Sequence, residues 1–438
     1  MNTHLSQRAH WAGGQPISDL MSRALANPRL ISLAAGFVDQ QTLPVEATRR
    51  ALDAVFAQVS EAQAALQYGA TPGFAPLRQE ILGRVLAADA PFALGPAPTL
   101  GQVVLTAGSN QLLHLIAESV MDPGDVALCT SPTYLVFLGT VQHLGGRAIG
   151  VAMDDHGMIP EALEDALRRL EKAGELPRVK LIYLVPYYDN PSGVTTSLAR
   201  RAAIVELARR WSKAGKIHVI EDAAYRELRY EGEDIPSIRA ADPDGQTVIV
   251  AGTFSKSFSP GLRVGWGVLP SHLVGPVCDL KGNIDFGSPN FNQHLMAKVL
   301  EQGLHEQHVA AIRASYRLKM HAMLDAAEEY WSRLPGVAWR RPQGGLYVWA
   351  TLPDDVHTGP DGPLFDRALE EGVLYVPGEF CYAAEGEAVC KNTMRLSFGV
   401  QSPERIRQGM AALARAIEHC MSSYASPARR AADVSSKV

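Results

Sequence analysis

The chain has 438 residues, 47% hydrophobic and 20% charged, with a formal net charge of −5. This is the make-up of a soluble globular protein with a large core, long enough for two or three domain-sized units. No Lys/Arg stripe invites nucleic acid or an anionic membrane, and no apolar run reaches the roughly 18 residues of a membrane span.

The opening stretch, "MNTHLSQRAHWAGGQPISDL", has neither an apolar core nor a cleavage site, so no secretory signal is expected. Residues 1–15 read as a mobile arm. "PISDLMSRALANP" has helical periodicity, with Asp19 early and Pro28 as a stop. From about residue 46 to 300, helical and strand-like segments alternate. "VEATRRALDAVFAQV" reads as helix, "QVVLTAG" as strand and "SNQLLHLIAESVM" as helix. "DVALCTSP" is strand, "TYLVFLGTVQHLG" helix, "VKLIYLVP" strand and "SLARRAAIVELARRWSKAG" helix. "KIHVIEDAAY" and "TVIVAGTFS" are further strands. These strand runs are almost continuously apolar, as expected of a parallel sheet covered by helices on both faces. Beyond about residue 300 a long helical stretch, "QHVAAIRASYRLKMHAMLDAAEEYW", precedes "GVAWRRPQGGLYVWATL" and "TMRLSFG", which suits a smaller α+β unit. The expected layout is an N-terminal arm and helix over 1–45 packing with the small domain, a large domain over 46–300, a small domain over 301–425 and a polar, disordered tail over 426–438. The five cysteines are scattered and form no CxxC pair, which suits free thiols in a reducing cytoplasm. The thirteen histidines show no metal-binding spacing, so no metal site is expected.

In open α/β sheets, ligands sit at the carboxyl ends of the strands, so the polar residues there are the candidates for chemistry. "TAGSNQ" ends a strand at Gly108, and Ser109 opens a helix whose free N–H groups suit an anion such as phosphate; an ordinary serine-capped turn would look the same. Asp222, directly after "KIHVIE", sits where a carboxylate needs a partner, either a protonated ring nitrogen or a salt bridge or helix cap. Lys256, in "TFSKSFSPGLRVGW", follows a buried strand. With Arg263 seven residues on and Ser255 and Ser257 beside it, its amine suits Schiff-base chemistry near a phosphate; a snorkelling lysine is the plainer account. Arg395, within the short apolar strand "NTMRLSFG", suits bidentate capture of a carboxylate, or an internal ion pair.

Taken in order, "QYG" at 67–69, "GSNQ" at 108–111, "SPTY" at 131–134, "DNPSG" at 189–193, "EDAAY" at 221–225, "SFSPGLRVGW" around Lys256 and "MRLSFG" at 394–399 resemble the fold-type I pyridoxal-5'-phosphate (PLP) aminotransferases of class I/II. Within them, the sequence is similar to the 2-aminoadipate and kynurenine aminotransferase group, over about residues 15–420. The resemblance implies an α/β fold with a mostly parallel seven-stranded sheet in a large PLP-binding domain and a smaller α+β domain. It implies that Lys256 carries the cofactor and then moves the substrate proton, that Asp222 pairs with the pyridine nitrogen, and that Tyr225 and Asn190 contact the ring hydroxyl. Tyr134 would stack on the ring, and Ser109, Asn110, Gln111, Ser255 and Arg263 would hold the phosphate. Tyr68 would reach the partner subunit's phosphate, which implies a homodimer with shared sites. Arg395 and the Gly36 backbone would bind the α-carboxylate, and Arg23 a distal carboxylate of an acidic substrate, unless it is a solvated surface residue.

The implied activity is transfer of an amino group between an L-amino acid of 2-aminoadipate, aromatic or branched type and a 2-oxo acid such as 2-oxoglutarate. A β-lyase, decarboxylase or oxidase on the same scaffold would use the same lysine, aspartate and arginine. Ligand-sensing regulators with an aminotransferase-like domain carry a winged-helix domain ahead of it, for which no room is expected here. Two departures bear on the substrate: Asp189 stands where the family often has glutamine before "NP", and "GFVDQQTLP" follows Gly36 without the usual early proline.

Overall fold

The computed structural model describes residues 4–13, 20, 22, 27 and 29–435, with 423–435 and Ala90 as backbone alone. The helix expected over "PISDLMSRALANP", and Arg23 within it, lie almost wholly outside the described residues.

Every strand expected between residues 46 and 300 forms. Across the large sheet the order is Glu385–Gly386, Arg147–Asp154, Val126–Ser131, Val179–Leu184, His218–Asp222, Val248–Thr253, Gly265–Val268, Val103–Thr106. Seven of these come from the large domain, and all run parallel except Gly265–Val268, which is antiparallel to both neighbours. Glu385–Gly386, contributed from the C-terminal part, extends one edge, and Gly157–Met158 folds back on Arg147–Asp154. Several large-domain elements were not anticipated, among them the strand Gly265–Val268 and the helices Ala75–Asp89, Pro160–Lys172 and Asn290–Glu301. The strand Arg147–Asp154 is hidden by Gly150 and by its charged ends, Arg147 and Asp154, and the helix Ser271–Asp285 by Gly275 and Pro276.

The two-residue period of the strands divides the core. Leu181 and Tyr183 join the cluster shared with the small domain, while Ile182 and Leu184 join the cluster beneath the outer helices Pro160–Lys172 and Leu198–Trp211. The same alternation separates two adjacent acids. Val219 faces the outer layer and Ile220 the inner one, so Glu221 turns outward and Asp222 inward. There Glu221 Oε2 accepts from the Ser237 hydroxyl at 2.5 Å and from the Arg239 N–H at 3.3 Å.

The small domain has an antiparallel sheet in the order Ala338–Trp339, Tyr347–Thr351, Thr393–Ser397, Val376–Pro377, backed by the helices Pro363–Glu370 and Pro403–Ser435. The helix Leu304–Trp331 begins against the large domain and ends in the small-domain core, where Trp331 is fully buried and donates to Met410 O at 3.2 Å. Ile31–Ser32 pairs in parallel with Val373–Leu374 of the small domain.

Both chain ends differ from expectation. The opening arm holds a helix, Gln7–Trp11, capped by Ser6, and its Arg8 pairs with Glu118 at 3.3 Å. The Trp11 ring lies against Gly145, where the absence of a side chain leaves it room. At the other end, helical backbone continues through Ser435 rather than ending near residue 425, consistent with the alanine and arginine content of "SPARRAADVSS".

Candidate active site

The carboxyl ends of the parallel strands and the facing edge of the small-domain sheet enclose a cavity of about 350 Å³. Ser109, Asn110, Tyr134, Asn190, Asp222, Tyr225, Ser255, Lys256, Arg263, Arg395 and Gly36 all line it. Residues scattered over 360 positions of sequence thus meet in one place, most of them from the turns that follow large-domain strands, with Arg395 from within the small-domain strand Thr393–Ser397.

At one end the cavity is built for an anion. Gly108, with φ +87°, takes the cap position of the helix Ser109–Val120, so Ser109 is the first helical residue rather than the cap expected of it. The free N–H groups of this first turn and the positive end of the helix dipole lie beside Arg263, whose own φ is +50°. Arg263 donates to Ala107 O at 3.1 Å and to Pro260 O at 3.2 Å, which holds its guanidinium by the turn. A side chain at Gly265 would collide with the Gly108–Ser109 peptide, so the backbone approach there requires glycine. The Ser255 hydroxyl is held by Thr253 Oγ1 at 2.9 Å.

At the other end Asp222 is buried. Its carboxylate accepts from the Tyr183 hydroxyl at 3.0 Å and from Ala224 N–H at 3.3 Å, and no cation among the described residues forms an ion pair with it. Burial pushes its carboxyl up to about 6 against the downward pull of the Tyr183 hydrogen bond. A protonated ring nitrogen would give this acid the positive partner it lacks.

Between the two ends, Lys256 donates to Gly36 O at 2.7 Å. Burial holds its amine below the usual lysine range; Tyr347 and Asp222 oppose this, while Arg395 and Arg263 reinforce it. A lysine so placed is a better nucleophile than a solvated one. Asn190 Nδ2 lies 3.4 Å from the Tyr225 hydroxyl, whose ionisation is pushed well up by burial and by Tyr347. Tyr134 approaches Asn110 Oδ1 at 3.5 Å.

Arg395 is almost fully buried. It donates to Asn190 Oδ1 and to Ala34 O, both at 2.8 Å, and stands 4.4 Å over the Tyr347 ring. No carboxylate among the described residues pairs with it, and its Nε has no protein partner. The internal ion pair left open by the sequence is therefore absent from the described residues.

Two expected residues do not line the cavity. The Gln111 side chain turns back to accept from Ala107 N–H and donate to Asp285, both at 2.7 Å, so only its backbone N–H faces the anion end. Tyr68 is 82% exposed, edge-on to Phe286 on the molecular surface. Arg23 lies outside the described residues. Of the two departures, Asp189 is buried and accepts from both the N–H and the hydroxyl of Ser192, at 3.0 and 2.5 Å, which fixes the turn that presents Asn190. Asp39, after Gly36, forms a buried ion pair with Lys319 at 2.7 Å and so anchors the Gly36 loop.

Tyr347 and Tyr183 were missed. Tyr347 meets the Tyr225 hydroxyl at 3.2 Å, lies beneath Arg395 and crowds Gly36, where any side chain would come within 2.9 Å of its hydroxyl. Its only advance signal was the glycine pair in "GGLYVW".

The donor set fits pyridoxal 5'-phosphate: an anion cradle, a lysine amine between, and a buried acid opposite. A sequence profile of the family "Aminotransferase class I and II" matches residues 28–413. The chain is 35% identical over 424 residues to the aromatic-amino-acid aminotransferase 1 of Thermococcus litoralis, covering 95% of each protein. It superposes on Pyrococcus horikoshii kynurenine aminotransferase, solved in complex with PMP, with a TM-score of 0.86, 34% identity and coverage of 95% and 97%. It also superposes on the α-aminoadipate aminotransferase LysN of Thermus thermophilus, complexed with N-(5'-phosphopyridoxyl)-L-leucine, with a TM-score of 0.81, 30% identity and coverage of 95% and 98%. Fold, site and relatives agree: the chain belongs to the class I and II aminotransferases, PLP-dependent enzymes of fold type I.

Proposed function

We propose that the enzyme moves an amino group between an L-amino acid of 2-aminoadipate, aromatic or branched type and a 2-oxo acid such as 2-oxoglutarate. The observation that carries this reading is Arg395, a buried guanidinium with only neutral partners, facing the cavity that holds the Lys256 amine. A buried cation of this kind is completed by an anionic ligand, and an α-carboxylate matches its fork. The substrate range is supported by the names of the aromatic, kynurenine and α-aminoadipate relatives.

Bound PLP supplies the electron sink for the substrate's Cα bonds. Ser109, Asn110, the Gln111 N–H, Ser255 and Arg263 would hold its phosphate, Asp222 would keep its ring nitrogen protonated, and Tyr225 and Asn190 would contact its ring hydroxyl. Tyr134 would stack on the ring. Arg395 and Gly36 orient the amino acid, and Lys256, in its neutral form, takes the proton from Cα and returns it on the other side of the exchange.

We place the enzyme in the cytoplasm as a homodimer. The five cysteines, none in a disulfide, suit a reducing compartment. No helix among the described residues is long and apolar enough to cross a membrane. Val59, Leu66, Tyr68 and Phe286 are each more than 60% exposed, an apolar face suited to a second copy. Arg23 is proposed to read a distal carboxylate; Arg23→Ala should then lower kcat/KM for 2-aminoadipate and leave leucine and phenylalanine unchanged.

The test is to follow products while supplying an amino acid and 2-oxoglutarate. Glutamate and the cognate 2-oxo acid should appear in equal amounts. Release of ammonia or carbon dioxide, or uptake of oxygen, without glutamate would assign a different reaction to the same site.

A further inference from the structure

Directly behind the lysine turn lies a polar cluster that the proposed chemistry does not use. Ser257, the neighbour of Lys256, and His305 are each 1% exposed. His305 Nε2 lies 3.1 Å from the Ser257 hydroxyl and 3.4 Å from a Glu227 carboxylate oxygen. The imidazole is set edge-on to Phe254 at 5.5 Å and tilted against Phe258 at 6.4 Å, both from the same turn as the lysine. Its Nδ1 has no protein partner, so a single nitrogen carries all the polar contacts of the ring. Burial works to push the Glu227 carboxyl up, but His305 and Ser257 hold it down to about 2, so it is a fixed acceptor at neutral pH.

The three residues come from three segments. Ser257 follows the lysine. Glu227 is two residues after Tyr225 and five after Asp222. His305 is the second residue of the helix that crosses between the domains. The same helix grips Glu227 again two turns later, where Arg313 Nε donates to Glu227 O at 2.7 Å. One imidazole nitrogen thus contacts both the residue after Lys256 and the segment that follows Asp222 and Tyr225.

We propose that His305 is a positioning residue: it ties the Lys256 turn, through Ser257, to the Asp222–Glu227 segment and to the first turn of the interdomain helix. The inference rests on Lys256 being the reactive lysine. The turns that carry the amine and the ring-binding acid are then joined through one imidazole, and both are tied to the helix that runs on into the small-domain core. Displacement of a reacting group by about 1 Å costs on the order of 100-fold in rate, so loss of this tie should appear mainly in turnover.

The experiment uses the PLP-loaded full chain with His305→Ala, His305→Gln, Ser257→Ala and the Ser257→Ala/His305→Ala pair. The glutamine amide nitrogen can replace Nε2, and alanine cannot. His305→Ala should lower kcat by about 10- to 100-fold with little change in KM, and should change the visible circular dichroism of the bound cofactor. His305→Gln should recover most of both, and the pair should be no worse than the poorer single variant. Equal behaviour of the alanine and glutamine variants, additive losses in the pair, or a lower melting temperature with unchanged kcat and dichroism would overturn the proposal. If His305→Ala does not fold, Ser257→Ala and His305→Gln decide it by the same readings. Borohydride reduction and peptide mapping of the wild type separates the two ideas: a label away from Lys256 overturns the lysine assignment, whereas a label on Lys256 beside wild-type behaviour of the variants overturns only the role of His305.

Discussion

Arg395 shows how much a single residue's surroundings decide. In sequence it was an arginine in an apolar strand, and either an ion pair or a ligand would have served. The structure gives it carbonyl partners alone, so its charge is left for a ligand. Arg395→Lys keeps the charge but loses the fork. It should lower kcat/KM for every amino acid by roughly 100-fold, the equivalent of about 3 kcal/mol of charged hydrogen bonding, as steady-state kinetics on two unlike substrates will show. Asp189 makes the opposite point. Burial pushes its carboxyl up to about 7 from 3.8, although Ser192 donates to it twice. Because the folded value is raised, the contribution to stability is complete below pH 3.8 and is lost as pH rises toward about 7. Asp189→Asn keeps an acceptor for Ser192 without the titration. Its melting temperature should therefore fall less than the wild type's between about pH 4 and about pH 7, by scanning calorimetry of the cofactor-bound proteins. Lys256, Asp222 and Arg395 were legible because a charged side chain in an apolar run is conspicuous. Tyr183 and Tyr347 were not, because a tyrosine in a buried strand reads as core. Gln111 misled because position within a first helical turn fixes where the N–H points and leaves the side chain free to turn back.

Among the elements, four of the expected strands of the large domain share a physical signature: four to six residues, mostly apolar, buried on both faces. Arg147–Asp154 escaped notice because it lies near the sheet edge, half of it partly exposed, and so carries no continuous apolar run. Another feature at this scale is the clasp between the Gly36 loop and the interdomain helix. Lys319 and Asp39 are both buried, Lys319 also reaches Gly399 O at 3.4 Å, and the Tyr316 hydroxyl accepts from Asp39 N–H at 3.0 Å. Breaking a buried ion pair from one side strands the other charge. Lys319→Met should cost about 3–5 kcal/mol in denaturant unfolding, and adding Asp39→Asn should recover a large part of it. Recovery would mark the stranded carboxylate, rather than lost packing, as the cause.

For the whole molecule, the mostly parallel central sheet was visible in the alternation of helical and apolar strand-like segments. The docking of the opening helix on the large domain was not, because five residues around one tryptophan carry too little periodicity to read. The exposed apolar face around Tyr68 should be covered in solution. Sedimentation is expected to give a dimer, and Val59→Glu, placing a charge at a residue 73% exposed in the single chain, should yield monomer with greatly reduced turnover. A fully active monomer would remove Tyr68 from the site. From the large sheet to the small-domain sheet, the chain passes inside the helix Leu304–Trp331, without a linker. A protease seeking the boundary finds hydrogen-bonded helical turns where a hinge peptide would ordinarily be cut. Nor can a gene be divided there to yield two well-behaved halves: either fragment would expose part of a stripe containing Ile312, Met320, Met323 and Trp331, all buried in the intact chain. The two lobes are separate in architecture yet inherit a single fate in expression, degradation and refolding.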